Sequence, residues 1–332
     1  MTKPMLHGHR VAVCGATGFL GSHLVERLVR EGAEVLAVAR SEKRRHNLAS
    51  VAGEYSLAIC DITRERCIRD AFASFRPETV FHLAAKPDGK EDAEHMEAAI
   101  EVNTMGTFRV LEASRAAGVK HFIFASSTKV YGNHEIPTRA GTPADPNSSY
   151  AIGKFAGWQM CKLFAALGEM RVAAVAPSFV YGPRQNWNLL SYLHECVRKG
   201  SRVKLMGGTQ TRDPLYIDDV VEAFLAAWRS KNSTGQCIPV GGGKEFTVRE
   251  LSRVVLDALG SDTPVEAGAE PMRPTEIWRN FADNTDAKLL LDWSPRISLR
   301  EGLRRTFDLL SQPEFAPQPV AAAAAPLRPS GD

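Results

Sequence analysis

Three glycines at one strand-to-helix turn constrain the fold of this chain more than any other feature. Gly15, Gly18 and Gly21 are spaced three residues apart, directly after the apolar run Val11–Cys14. Apolar residues then recur at helical spacing as far as Gly32, which predicts a strand, a glycine turn and a helix. Glycines at such a turn let the backbone approach a pyrophosphate, whose charge the helix N-terminus stabilises. The alternative is a flexible turn without a ligand, which this position after a first strand disfavours.

The alternation of strand and helix patterns continues through the first half of the chain. Apolar runs with the composition of buried strands recur at Val35–Ala39, Leu57–Cys60, Thr79–Leu83, Phe122–Ser126 and Val172–Ala176. Helical or loop segments separate these runs. The order predicts an α/β fold with a doubly wound parallel sheet of the Rossmann type and helices on both faces. After the sixth run the alternation loosens, which indicates a smaller C-terminal lobe.

Composition and charge exclude several classes of function. A net charge of +3 and 24% charged residues provide no strong field for nucleic acid or a membrane surface. The chain begins without the apolar core of a signal peptide, and no apolar run approaches the roughly 20 residues of a membrane span. Six scattered cysteines without a Cys-x-x-Cys pair argue against a structural metal site and a disulfide framework. We therefore expect a cytoplasmic protein without a metal, a nucleic-acid partner or a membrane partner.

The end of the second predicted strand determines which dinucleotide we expect. Dinucleotide-binding folds often carry an acidic residue there, which binds the adenosine ribose. This chain has Ala39 followed by Arg40. Alanine leaves room for a 2′-phosphate and arginine can bond it, so the pair favours NADP, with NAD as the alternative. Lys43, Arg44 and Arg45 either add positive potential or form a solvated helix face.

Two side chains with acid–base chemistry lie one turn apart on a predicted helix. Tyr150 and Lys154 are separated by four residues, so both face the same side. A phenol ionises at about pH 10, so a tyrosine that acts as a base near neutral pH needs a positive charge nearby, which Lys154 supplies. Ser127 follows the fifth predicted strand, at the edge where open α/β sheets bind ligands. We predict Ser127, Tyr150 and Lys154 as the catalytic residues.

These residues stand within a collinear series of motifs over residues 10–310. The motifs are Gly15-Ala-Thr-Gly-Phe-Leu-Gly21, His82-Leu-Ala-Ala85, Asn103-Thr-Met-Gly-Thr107, Ser126-Ser-Thr-Lys-Val-Tyr-Gly132, Tyr150-Ala-Ile-Gly-Lys154 and Val180-Tyr-Gly-Pro-Arg184. The series resembles the extended short-chain dehydrogenase/reductase family, and within it the nucleotide-sugar epimerases, dehydratases and reductases. The resemblance implies that the serine, tyrosine and lysine oxidise or reduce a sugar carbon against a nicotinamide. It also implies a homodimer formed through two helices.

The motifs and the resemblance together predict the ligand contacts. The predicted cofactor-binding residues are Gly15, Thr17, Gly18, Phe19, Leu20, Gly21, Arg40, Asp61, Ile62, Leu83, Ala84, Ala85, Asn103, Tyr150, Lys154 and Pro177. The residues predicted to bind a nucleotide-diphosphate sugar are Ser127, Thr128, Arg184, Arg212 and Arg273. Two of these, Arg212 and Arg273, match arginines that hold the diphosphate in family members. Asp61 either meets the adenine edge or caps a loop.

The resemblance also divides the chain. Residues 1–178 and 214–247 are expected to form the dinucleotide-binding domain, and residues 179–213 and 248–312 the substrate-binding lobe. Residues 313–332 are biased in composition and broken by prolines, which predicts a disordered tail.

Departures from the family pattern narrow the expected reaction. Thr128 and Lys129 stand where sugar 4,6-dehydratases carry acidic residues, so dehydration by that route is disfavoured. Phe179 replaces an asparagine that contacts substrate in many relatives, which leaves the sugar open. We expect an NAD(P)-dependent nucleotide-sugar epimerase that works through a transient keto-sugar, with an NADPH-dependent nucleotide-4-keto-sugar reductase as the alternative. A non-catalytic NADP-sensing protein is a third reading, against which the retained Tyr150 and Lys154 argue.

Overall fold

Strands and helices alternate along most of the chain. A computed structural model describes residues 6–87, 89–168, 170–185 and 188–310. The strands are β1 (Arg10–Cys14), β2 (Glu34–Ala39), β3 (Ser56–Ile59), β4 (Thr79–His82), β5 (His121–Ala125), β6 (Arg171–Pro177), β7 (Phe179–Tyr181), β8 (Val203–Met206), β9 (Thr211–Arg212), β10 (Pro214–Tyr216), β11 (Cys237–Val240), β12 (Phe246–Thr247) and β13 (Val265–Glu270). The α-helices are α1 (Phe19–Arg30), α2 (Glu65–Phe75), α3 (Ala93–Ile100), α4 (Thr107–Ala116), α5 (Ser149–Ala166), α6 (Leu189–Lys199), α7 (Ile217–Arg229), α8 (Val248–Ala258), α9 (Thr285–Leu291) and α10 (Leu299–Leu310). Shorter helical segments lie at Glu42–Val51 (3-10), Glu101–Gly106 (π), Thr128–Tyr131 (3-10) and Lys231–Ser233 (3-10).

Seven parallel strands form the central sheet, in the order β11-β6-β5-β4-β1-β2-β3. The predicted doubly wound Rossmann-type sheet is therefore confirmed, and the six predicted apolar runs lie within one residue of the observed strands. The chain winds outward from β1 to β3 on one side and from β4 to β6 on the other. Such a reversal opens a crevice beyond the carboxyl ends of β1 and β4, where open α/β sheets bind ligands.

The strands are apolar throughout because the sheet is buried on both faces. Val11 and Val13 of β1 belong to one hydrophobic cluster, together with residues of α1 and α7. Ala12 and Cys14, which point the other way, belong to a second cluster with residues of α2, α4 and α5. Since successive side chains of a strand alternate between faces, burial on both sides produces the continuous apolar run that the sequence displays.

Two glycines allow α5 to lie close to the π-helical segment Glu101–Gly106. A Cβ atom on Gly153 would lie 2.9 Å from Asn103 Cβ, and one on Gly157 would lie 2.7 Å from Asn103 O. The missing side chains thus set the position of α5, which carries the predicted catalytic tyrosine and lysine.

A third hydrophobic cluster lies apart from the two faces of the sheet. It joins β7, α6, β8 and α8, with Leu303 of α10. Three two-stranded sheets accompany it, β10-β7, β12-β9 and β13-β8. The proposed division into a dinucleotide-binding domain and a substrate-binding lobe stays a prediction. The predicted tail, 313–332, lies outside the described residues.

Two of the six cysteines lie close together in the fold. Cys60, directly after β3, and Cys67, in the first turn of α2, lie side by side, with Cα atoms 5.7 Å apart. The turn between strand and helix brings them together at a spacing that matches no common motif. The other cysteines are buried, namely Cys14, Cys161, Cys196 and Cys237. Within the described ranges, no group of three or more His, Cys, Asp or Glu side chains could hold a metal ion.

No helix in the described part of the chain combines the length and the apolar character that a membrane crossing requires.

Candidate active site

The glycine turn after β1 packs closely against the neighbouring backbone. Gly15 has a φ of 86°, a value that favours glycine, and its N–H donates to Val38 O at 2.9 Å. A Cβ atom on Gly15 would lie 2.7 Å from Ala84 N, and one on Gly21 would lie 2.1 Å from Gly15 O. The turn therefore packs tightly against the loop after β4, and no larger residue fits at either position.

The N-terminus of α1 is open to an anion. The helix begins at Phe19, and its N-cap, Gly18, has no side chain to bond the free N–H groups. The first turn also contains no acidic residue. Free N–H groups and the helix dipole together stabilise a negatively charged ligand. The turn and this helix end thus fit the pyrophosphate of a dinucleotide.

Two predicted cofactor residues meet at the ends of β2 and β3. Asp61 Oδ1 accepts hydrogen bonds from Thr63 N at 3.0 Å and Thr63 Oγ1 at 2.8 Å. Burial opposes ionisation of Asp61, yet these bonds and the nearby Arg40 guanidinium lower its pKa. Asp61 therefore caps its loop, as one of the two readings predicted. Arg40 is exposed and Ala39 is buried beside it.

Buried polar side chains fix the loop after β4 by hydrogen bonds. Asn103 Oδ1 accepts from Lys86 N at 2.8 Å, and Asn103 Nδ2 donates to Lys86 O at 3.1 Å. Beneath it, His82 Nε2 bonds Thr107 Oγ1 at 3.0 Å, and Thr107 Oγ1 donates to Asn103 O at 2.7 Å. Burial lowers the pKa of His82 to about 3, so the ring is neutral and anchors structure. Leu83 N donates to Cys14 O at 2.9 Å, which sets this loop beside the glycine turn.

Lys154 is a buried cation at the centre of the site. Its side chain is almost fully enclosed, with the residue 2% exposed, and its Nζ donates to Ala125 O at 2.7 Å. The same Nζ lies 4.8 Å from the centroid of the Phe124 ring. Burial disfavours the charged form and lowers the pKa of Lys154 to about 7. A lysine in such a site responds to small changes in charge near neutral pH.

The hydrogen bond to Ala125 O connects the predicted catalytic residues. Ala125 ends β5, and Ser127 follows two residues later, buried at the start of a 3-10 turn. Tyr150 lies in the first turn of α5, where Ser148 caps the helix by accepting from Ala151 N at 3.3 Å. Lys154 thus ties the helix that carries Tyr150 to the strand end that carries Ser127.

The predicted substrate residues Thr128 and Arg212 contact one common segment, 275–283. The Thr128 hydroxyl donates to Asn280 Oδ1 at 2.8 Å. Arg212 Nη1 donates to Ile277 O at 2.9 Å, and its Nη2 forms an ion pair with Glu276. Both side chains are therefore engaged with protein groups, and the segment links the arginine to the serine loop.

Further bonds join segment 275–283 to the loop after Ser127. Asn133 Oδ1 accepts from Trp278 N at 2.6 Å, and Thr138 N donates to Phe281 O at 2.9 Å. Asn147 Nδ2 donates to Thr275 O at 3.3 Å. Several hydrogen bonds therefore hold the loop and the segment together. Sequence reasoning missed this pairing, because nothing in the spacing of these residues relates positions more than a hundred apart.

The remaining predicted substrate residues, Arg273 and Arg184, lie in different surroundings. Arg273 is exposed at the start of a turn whose Glu276 N donates to Arg273 O at 3.1 Å. Arg184 points its guanidinium at Glu26 of α1. Because this partner lies on α1 and not on segment 275–283, which Thr128 and Arg212 contact, Arg184 is placed outside the proposed substrate site. Pro177, predicted to contact cofactor, ends β6, and its carbonyl lies 3.3 Å from Thr128 Oγ1.

Comparison with known proteins agrees with this geometry. Residues 11–241 match the model of the NAD dependent epimerase/dehydratase family. The chain is 35% identical over 309 residues to the UDP-glucose 4-epimerase of Mycolicibacterium smegmatis, covering 90% of this chain and 97% of the relative.

Solved structures with similar folds hold sugar nucleotides. The UDP-glucose 4-epimerase of Thermotoga maritima, solved with UDP-glucose, is 30% identical with a TM-score of 0.83, over 91% of this chain and 98% of that one. The UDP-glucuronic acid 4-epimerase of Bacillus cereus, solved with UDP-glucuronic acid and NAD, is 25% identical with a TM-score of 0.84, over 91% and 99%. This chain therefore belongs to the NAD dependent epimerase/dehydratase family, within the extended short-chain dehydrogenase/reductases.

Proposed function

We propose that this enzyme is a 4-epimerase of a UDP-linked hexose. The observation that carries the proposal is the hydrogen bond from Lys154 Nζ to Ala125 O, which ties the helix that carries Tyr150 to the strand end that precedes Ser127. The relatives with the same architecture are named as 4-epimerases of UDP-glucose and UDP-glucuronate. Their names support UDP as the nucleotide and C4 as the reacting carbon.

Each residue of the site then has a distinct task. A nicotinamide supplies the hydride acceptor and donor when it is bound. Tyr150 takes the proton from the sugar hydroxyl and later returns it, while the Lys154 charge stabilises the phenolate. Ser127 bonds the same sugar oxygen. The keto-sugar turns within the site before reduction on its other face, which inverts the carbon.

Arg212 and Arg273 are proposed to hold the substrate diphosphate. Arg212 forms an ion pair with Glu276 and a hydrogen bond to Ile277 O, which hold its guanidinium against segment 275–283. Arg273 lies exposed near the other end of the same turn. Because this segment is bonded to the loop after Ser127, an anion held by both arginines would be fixed relative to the catalytic serine.

We also propose that the cofactor is NADP(H) in preference to NAD(H). Ala39 ends β2 without a carboxylate that would repel a 2′-phosphate. Arg40 is exposed beside it and near enough to Asp61 to lower the pKa of that carboxyl. The Bacillus cereus relative was solved with NAD, so cofactor choice is a point on which this chain would depart from it. NADP would also suit the alternative function, an NADPH-dependent 4-keto-sugar reductase.

A homodimer is proposed on the basis of an exposed apolar strip. The strip lies on α3, α4, α5 and the residues that adjoin these helices. Its residues are Met96, Ile100, Met105, Phe108, Ile152, Leu163 and Leu167. On α5, Ile152 and Leu163 are three helical turns apart and therefore share a face. Apolar faces of this kind mark protein–protein contacts.

The cytoplasmic location stays a prediction.

Product analysis separates the epimerase from the reductase. Purified enzyme incubated with UDP-glucose, and separately with UDP-glucuronate, should yield a C4 epimer of equal mass with no net consumption of cofactor. Nuclear magnetic resonance identifies the epimer, and absorbance follows the cofactor. Tyr150→Phe should lower kcat by about 10²- to 10⁴-fold, because it removes the proton-transfer group. Stoichiometric loss of NADPH with a 4-keto-sugar, and no epimer, would establish the reductase instead.

Stability should reveal the cost of burying Lys154. The pKa of Lys154 falls from 10.5 to about 7 on folding. Burial of the lysine therefore lowers the unfolding free energy fully below pH 7 and no longer lowers it above pH 10.5. The unfolding free energy of wild type minus that of Lys154→Met should therefore rise by up to about 4 kcal/mol between pH 7 and pH 10. Urea denaturation at both pH values measures it.

The control for this experiment is Lys162→Met, which removes an exposed lysine of the same helix. Its unfolding free energy should stay within about 0.5 kcal/mol of wild type at both pH values. A difference between wild type and Lys154→Met that does not change with pH would contradict the account of Lys154.

Cofactor titration tests the preference for NADP(H). A charge-assisted hydrogen bond from Arg40 to the 2′-phosphate should contribute roughly 1.5 to 3 kcal/mol. Wild type stripped of cofactor should therefore bind NADP⁺ about 10- to 150-fold more tightly than NAD⁺. Arg40→Ala should weaken NADP⁺ selectively, and Ala39→Asp should shift the preference toward NAD⁺. Calorimetry measures all three proteins. Equal affinities of wild type for NADP⁺ and NAD⁺ would contradict the proposal and show that Arg40 is a surface residue without a role in cofactor choice.

Sedimentation equilibrium tests the dimer. Leu163→Lys places a charge on the apolar strip, where the leucine is 55% exposed, and should convert the dimer to a monomer at micromolar concentration. Leu289→Lys is the matched control, since that leucine is 71% exposed on α9 and outside the strip. A monomeric wild type, or a Leu163→Lys variant that stays dimeric, would rule out this interface.

A further inference from the structure

Arg184 forms a buried ion pair with the helix that follows the glycine turn. It lies in the loop after β7, and its side chain is 9% exposed. Nη1 and Nη2 donate to the two carboxylate oxygens of Glu26, each at 2.9 Å. Its backbone is left-handed, with a φ of 64°, a conformation that an arginine keeps only when its surroundings determine it. The pair therefore joins α1 to a loop more than 150 residues away.

His23 completes the pair from the same face of α1. Arg184 Nη2 donates to His23 Nδ1 at 2.9 Å, and His23 Nε2 lies 3.0 Å from Pro183 O. These contacts place the ring proton on Nε2, so that it donates to the carbonyl. Burial and the Arg184 charge lower the pKa of His23 to about 4. The ring is thus neutral, and Glu26 is the counter-charge of the arginine.

The contacts continue from Arg184 to the glycine turn itself. Arg184 Nη1 donates to Asn47 O at 2.5 Å, in the 3-10 segment that follows β2. Asn47 Nδ2 then donates to Thr17 O at 2.9 Å. Ser50 of the same segment donates to Glu26. The guanidinium therefore joins three elements: α1, the segment after β2 and the loop after β7. Through the Asn47 side chain, this network also reaches Thr17 in the glycine turn.

We propose that Arg184 is a positioning residue for the cofactor site, which acts through Asn47 on the glycine turn. Thr17 lies between the glycines that must approach the dinucleotide pyrophosphate, and its carbonyl is fixed by Asn47. Removing the guanidinium frees Asn47 and leaves the Glu26 carboxylate without its partner. The turn then no longer keeps the geometry that the ligand requires. This inference rests on family membership and not on the identity of the sugar.

Equilibrium binding of NADP⁺ and NAD⁺ to the stripped protein tests the proposal, with the unfolding free energy measured alongside. Arg184→Met should weaken both cofactors by about 3- to 30-fold, the range of coupling through packed networks. Asn47→Ala should weaken them similarly. Both changes act along one path. The double variant should therefore bind each cofactor almost as tightly as the single variant with the lower affinity does.

Arg27→Met is the matched control. Arg27 is the next residue after Glu26 on α1 and pairs with Glu31 and Glu222, at 2.9 and 3.0 Å. Its loss removes ion pairs of the same helix, at a side chain that is 37% exposed, and changes no bond of Asn47 or Thr17. The dissociation constants of Arg27→Met should stay within about twofold of wild type.

Two outcomes would overturn the proposal. If Arg184→Met and Arg27→Met both lower the unfolding free energy and both leave the dissociation constants unchanged, Arg184 only stabilises the fold. If the effects of Arg184→Met and Asn47→Ala are fully additive, the path through Asn47 is wrong. Should Arg184→Met fail to fold, Arg184→Lys keeps the charge without the planar fork, and the same comparison of binding and additivity applies to it.

Discussion

The contact between Lys154 Nζ and Ala125 O is the interaction on which the arrangement of the active site depends. It fixes the helix that carries Tyr150 against the strand that precedes Ser127. On the same helix, Gly153 and Gly157 allow α5 to approach Asn103 closely, since neither has a side chain. The same closeness excludes water from the lysine, which lowers its pKa and so costs folding free energy. The lysine thus titrates near neutral pH at the expense of stability.

Around this contact, the ligand-facing loops are held by polar bonds between distant parts of the chain. Asn103 holds the loop after β4, and segment 275–283 is bonded to the loop after Ser127. Arg184 holds the segment after β2 and the helix after the glycine turn. Loops at strand ends carry few apolar contacts of their own, so buried side-chain hydrogen bonds determine their positions. Placement of cofactor and substrate groups is therefore a cooperative property of these bonds.

Much of the fold could be predicted from sequence because its signals are local. A strand buried on both faces is apolar throughout, and a tight turn against a neighbouring backbone admits only glycine. The four-residue spacing of Tyr150 and Lys154 likewise depends only on helical geometry. The pairings of Arg184 with Glu26, Arg212 with Glu276 and Thr128 with Asn280 could not be predicted in this way, since the paired residues lie between 64 and 158 positions apart. Long-range pairing depends on how the loops close, and no periodicity reports it.

The central claim is that Lys154 is buried and titrates near neutral pH. Protein labelled with ¹³C at lysine Cε can be titrated by nuclear magnetic resonance, and the resonance that disappears in Lys154→Met identifies the residue. The account predicts that this resonance titrates with a pKa of about 7. A Lys154 resonance that titrates near the ordinary value of 10.5 would show that the ammonium is solvated, and would contradict the account.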